Sequence, residues 1–142
     1  MINHVWSILC HSSSIDRDNN NLSLFEVLNS ISVYAKEGNE INIPIKFELV
    51  SLWEKIEYEK PVRGKVRLVF VYPNGRKNTI FENILEWDKT PFYRTRVNIQ
   101  GLLLRQSGRH VFLVEFKDES KDRWSRVCEL PMLIKIEPPK EV

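Results

Sequence analysis

The chain has 142 residues, 42% hydrophobic and 28% charged, with 21 basic against 19 acidic residues. That is enough apolar content for a packed core, so extensive disorder is excluded and one domain is expected. A net charge of +2 supplies no general electrostatic drive toward nucleic acid.

Residues 3–11 predict a first strand, with Trp6, Ile8 and Cys10 on one face and Val5 and Leu9 on the other. The opening ten residues lack a basic flank, and Asn3, His4 and Ser7 interrupt their apolar run. No signal peptide is expected, and no apolar run approaches the roughly 20 residues that span a bilayer. Without an export signal, Cys10 and Cys128 are expected to be reduced, buried thiols, and the address is the cytoplasm. No membrane contact is expected.

A polar, turn-forming stretch follows over residues 12–21. Residues 22–34 keep no single period and predict a strand bent near Asn29 and Ser30, with a short helix as the alternative. Residues 37–40 form a turn. Ile41, Ile43, Ile45, Phe47 and Leu49 then alternate with polar residues, a half-buried strand that Pro44 places at an edge or gives an outward-facing N-terminal half. Residues 51–63 read as a connection carrying Trp53, Tyr58 and Pro61.

Residues 65–72 and 77–87 predict a hairpin around Pro73, Asn74 and Gly75. After a turn at residues 88–91, residues 92–100 place Tyr93, Thr95, Val97 and Ile99 on one face. Residues 101–107 read as a corner that turns apolar residues under the sheet. Residues 107–117 predict the central strand, with His110, Phe112, Val114 and Phe116 facing the core. Residues 118–122 close a hairpin, and residues 123–137 form the last strand, where Pro131 points to an edge or a change of sheet. Residues 138–142 are expected to be a mobile tail.

The expected fold is all-β: an antiparallel two-sheet β-sandwich, immunoglobulin-like, of about eight strands, in a single domain over residues 1–137.

For chemistry, Asp16, Asp18 and Asn20 have the start of a hand-type calcium loop, but its sixth and twelfth positions hold Asn21 and Val27. If each strand crosses the molecule once, Asp16, Asp18, Asp88, Asp118 and Asp122 gather at one rim, where Arg17, Lys89, Lys121 and Arg123 offset much of their field. Solvated turns are the expectation there, and no metal or other cofactor is expected. Basic residues concentrate in the middle third, and Arg94 and Arg96 share a strand face. With Arg67 they form a candidate binding surface for a phosphate backbone, although Glu82, Glu86, Glu115 and Glu129 are placed to pair with them across strands. Trp53 and Trp87 adjoin connections and serve either as core or as an exposed anchor for a partner. Of the three histidines, His110 offers a Cys–His couple with Cys10 or Cys128, but both thiols sit in apolar alternation. No phosphate loop, nucleophile elbow or metal-ligating His pair is present.

The residues from His4 to Cys10, the Leu22, Ser23, Leu24 and Phe25 start of the second strand, the Tyr72 to Gly75 hairpin, and Gly108, His110 and Phe112 resemble a family of small prokaryotic proteins with no assigned activity. The resemblance implies the strand order and no site residue. The strand at Gly108 is also similar to the corner-then-strand pattern of immunoglobulin-like domains, without their cysteine pair.

The expected function is that of a non-catalytic protein-binding or assembly module, not an enzyme, whose partner is another protein or a second copy. The alternative is a nucleic-acid-binding sandwich. The residues expected to carry binding are Arg94, Arg96, Arg67 and Trp53.

Overall fold

Alternation of inward apolar and outward polar side chains builds nine strands among the described residues, which are 2–36 and 40–139 of a computed structural model. They are β1 (Ile2–Ile15), β2 (Leu22–Val27), β3 (Ser30–Tyr34), β4 (Ile41–Lys55), β5 (Val62–Val71), β6 (Lys77–Trp87), β7 (Phe92–Leu104), β8 (Gly108–Asp118) and β9 (Ser125–Glu137). A four-stranded sheet runs β2-β1-β4-β7 and a five-stranded sheet runs β3-β9-β8-β5-β6. No described residue is helical, so no helix is long and apolar enough to cross a membrane.

The two sheets face one another across a continuous core. Phe47, Leu49 and Trp53 come from the four-stranded sheet; Phe70, Phe112 and Phe116 come from the five-stranded one. Rings meet between the layers, Phe47 with Phe112 at 5.8 Å and Trp53 with Phe116 at 5.6 Å. Each such side chain, fully buried, stabilises the fold by about 1.5–3 kcal/mol. β8 lies at the middle of its sheet and turns His110, Phe112, Val114 and Phe116 inward, as its alternation predicts.

Four expectations are corrected. Residues 22–34 form two strands on different sheets. Leu28 donates its backbone N–H to Leu9 of the first sheet, while the Asn29 carbonyl accepts from Leu133 of the second, so the chain changes layers between neighbouring residues. β3 then pairs with β9 in parallel, which makes the fold not wholly antiparallel. Finally, residues 51–55 continue β4 rather than opening a connection, and β7 runs on through Leu104.

The two strand prolines sit where the ladder does not need their missing N–H. β1 flanks β4 only from Glu48 onward, and the β4 register with β7 shifts between Ile43 and Lys46, around Pro44. β3 reaches β9 only from Leu133 onward, which leaves one side of Pro131 unpaired. The 72–76 hairpin closes as expected, with Gly75 at φ +87°. The turn expected at residues 37–40 falls mostly on residues 37–39, and the tail mostly on residues 140–142, both outside the described residues.

Candidate functional site at the Lys55 end

Register fixes which connections share an end of the molecule. Ile2 lies opposite Lys55, Glu54 opposite Phe92, Val62 opposite Trp87, and Gly64 opposite Asp118. The connections over residues 56–61, 88–91 and 119–124 therefore meet at one end. Lys55 ties them together. Its side chain is buried, and Nζ donates to the carbonyls of Lys60 at 2.5 Å and Asp88 at 2.8 Å, 5.1 Å from the centre of the Trp87 ring. The Lys55 backbone N–H donates to the Pro91 carbonyl, and that of Glu119 to the Arg63 carbonyl.

These contacts leave a continuous cleft around Arg63 and Glu119. One cavity of about 290 Å³ is lined by Arg63, Lys65, Ile84, Lys117, Asp118 and Glu119. Adjoining cavities of about 400 and 510 Å³ share Arg63 and Glu119, and extend the cleft toward Glu57, Lys60 and Glu86. Ile56, Tyr58 and Phe92 are exposed in or beside the bordering connections. Arg63 approaches Glu86 at 3.6 Å and Lys60 approaches Glu57 at 3.4 Å, both on the surface. Ser120 donates its backbone N–H and its hydroxyl to Asp118 Oδ1 at 2.9 and 2.8 Å, and these bonds hold the Asp118 carboxyl below the usual carboxylate range.

The acidic residues expected at one rim are divided between the two ends. β1 runs away from the Lys55 end, so Asp16 and Asp18 lie at the far end, while Asp88, Asp118 and Asp122 lie near Lys55. The extra reversal at Leu28 and Asn29 changes which loops coincide. Asp16 Oδ1 accepts the backbone N–H groups of Asp18 and Asn19, as a self-contained turn does. Among the described residues no group of three His, Cys, Asp or Glu side chains is placed to hold a metal.

The basic candidates do not converge. Arg67 lies on the outer face of the five-stranded sheet, bonded to Glu115 at 2.8 Å and stacked 4.2 Å from the Trp124 ring centre. Arg94 and Arg96 lie on β7 of the other sheet, where Arg96 bonds Ser13 through Nε and Nη2. Trp53 is fully buried, its Nε1–H donated to Thr95 Oγ1 at 3.1 Å, and Trp87 is buried as well.

His110 is fully buried. It lies opposite Met132, while Cys128 lies opposite Val114 and Cys10 belongs to the other sheet, so the Cys–His couple is not formed. A chain from His4 Nε2 to Ser7 Oγ and on to Ser51 Oγ, each step 2.6 Å, runs between the sheets; both hydroxyls are buried and neither lines the cleft. Sequence reasoning missed Lys55, Arg63, Lys65, Lys117 and Glu119 as a group. Their proximity depends on strand register, which no local pattern encodes.

No family model matches the chain, and no curated protein is detectably similar to it. Solved structures of one enzyme share its fold. A β-glucosidase from Listeria innocua, determined with glucose, superposes over 94% of this chain at 7% identity and a TM-score of 0.54. The same enzyme with isofagomine superposes equally well. A family 123 glycoside hydrolase from Clostridium perfringens covers 78% of the chain at 13% identity and a TM-score of 0.38. The chain spans only 17% of the length of the β-glucosidase. The β-glucosidase likeness, which is one of fold alone, corrects the expectation of a non-catalytic module and of a chain that is not an enzyme: an arrangement present within an enzyme gives no ground for excluding catalysis.

Proposed function

We propose that the chain is an immunoglobulin-like β-sandwich of the kind found within glycoside hydrolases, and that the cleft at its Lys55 end takes up a glycoside. The observation that carries this reading is the composition of that cleft. Arg63, Asp118 and Glu119 stand beside the apolar Ile84 in its wall; Tyr58, in the 56–61 connection, and Phe92, at the start of β7, are exposed near this end without lining it. A pyranose has the matching chemistry: a ring of hydroxyls that guanidinium and carboxylate groups bond in pairs, and C–H faces that pack on apolar or aromatic surface.

Hydrolysis of a glycosidic bond uses two carboxyl groups in different protonation roles. Asp118 is the one held ionised by Ser120. Glu119, whose carboxylate has no ion pair among the described residues, is the second. The chain corresponds to 17% of the β-glucosidase, and the proposal concerns sugar uptake by this chain's own cleft. The two free thiols, on separate sheets, support a reducing compartment such as the cytoplasm.

Calorimetric titration with glucose and methyl β-glucoside, paired with a hydrolysis assay on 4-nitrophenyl β-glucoside, tests the reading. Saturable sugar binding is expected, weakened about tenfold by Arg63→Ala through loss of charge-assisted hydrogen bonds. Any hydrolysis is expected to fall with Glu119→Gln. No saturable binding at millimolar sugar, with the parent protein folded, overturns it.

A further inference from the structure

The outer face of β6, β5 and β8 carries its charges in rows. In one row Glu82, Arg67, Glu115 and Arg126 stand opposite one another in turn, with Arg67 and Glu115 bonded at 2.8 Å. Two residues toward the Lys55 end, the order fails. Lys65 stands directly opposite Lys117, with Ile84 on the other side of Lys65. Like charges facing each other across strands repel, and folded proteins usually separate or neutralise them. Neither ammonium forms an ion pair among the described residues, while Arg67 and Arg63 of the adjoining rows engage Glu115 and Glu86. Both lysines line the cavity of about 290 Å³, and the half-exposed Ile84 forms an apolar part of its wall.

From this juxtaposition we infer that the glycoside taken up by the cleft is anionic, carrying a carboxylate or sulfate that seats between Lys65 and Lys117. The inference rests on the glycoside reading of the same cleft. An oxyanion between the two ammonium groups relieves their repulsion, while the sugar ring lies toward Ile84. Asp118 and Glu119 line the same cavity and face the hydroxyls, since a second anion beside them is repelled. Lys65 and Lys117 thus select the charge of the ligand, and Asp118 and Glu119 set which way round it sits.

The test is a calorimetric titration of the full chain with methyl β-glucuronide, methyl β-glucoside and inorganic sulfate, repeated on the Lys65→Gln/Lys117→Gln variant. The glucuronide is expected to bind about fivefold to tenfold more tightly than the glucoside at low salt, the scale of two partly exposed ion pairs. That preference shrinks as salt is added. In the double variant the preference disappears, because glucuronide affinity falls further than glucoside affinity does, and the thermal unfolding midpoint stays level or rises because a repulsion has been removed. Equal affinities for the two glycosides, or a preference that survives the double substitution, overturns the inference while leaving glycoside binding intact. Sulfate binding as tightly as the glucuronide and displacing it marks a free-oxyanion site and also overturns it. Failure of both glycosides to bind removes the glycoside reading itself.

Discussion

His110 Nδ1 stands 3.0 Å from the Gly108 carbonyl, so it carries the proton of that hydrogen bond and leaves Nε2 as a buried acceptor without a partner among the described residues. Phe70 stacks on the ring at 5.1 Å and Tyr72 meets it edge-on at 5.8 Å. Burial pushes the His110 pKa down, with the Gly108 contact a smaller opposing effect, and burial pushes His4 down as well. The unfolded chain therefore takes up protons first as pH falls. Full stability is present above the unfolded value near 6.5 and declines below it, by up to about 1.4 kcal/mol per pH unit for each histidine. Urea unfolding between pH 7.5 and 5.5 is expected to show this loss, and His110→Leu to reduce its slope while costing under about 1.5 kcal/mol at pH 7.5. Gly64 is a second residue with a specific consequence. A Cβ there meets the Lys117 carbonyl oxygen at 2.7 Å and the Phe116 ring at 2.8 Å. Gly64→Ala is expected to destabilise by about 1–3 kcal/mol in the same unfolding assay, as overpacked sites do.

At the scale of elements, β4 shows both the reach and the limit of reading strands from alternation. Its first part is legible because Ile41, Ile43, Phe47 and Leu49 alternate with polar residues. Its last part is not, because Ser51 and Lys55 occupy inward positions where the pattern calls for apolar side chains. Each is satisfied by a contact that only the fold supplies: Ser7 for Ser51, and two carbonyls for Lys55. The split between β2 and β3 is likewise invisible in sequence, since it depends on which sheet's backbone takes up Leu28 and Asn29. The Lys55 tie carries its own expectation. Lys55→Met keeps the buried stem and removes both hydrogen bonds, costing about 1.5–3 kcal/mol. Amide hydrogen exchange is expected to quicken over residues 56–61 and 88–91 before it does elsewhere. Uniform exchange across the chain contradicts a local tie.

For the whole molecule, two facing sheets were readable from the rhythm of strands and turns, whereas the cleft was not. Arg63, Lys65, Ile84, Lys117 and Glu119 come from three strands and a turn, and what unites them is that Lys65 meets Lys117 and Gly64 meets Asp118 in register. The residues that sequence singled out are distributed differently, with Arg67 on one outer face, Arg94 and Arg96 on the opposite sheet, and Trp53 within the core. The acidic turns separate because a chain that changes sheets in mid-course inverts the ends at which later loops fall. A sugar site at the Lys55 end is tested residue by residue through amide chemical-shift mapping during titration with methyl β-glucoside and methyl β-glucuronide. Saturable shifts confined to residues 56–64, 84–92 and 117–120 are expected, with the 16–21 turn and residues 101–108 unmoved. Shifts centred on the far end, or none at saturating sugar, would contradict it.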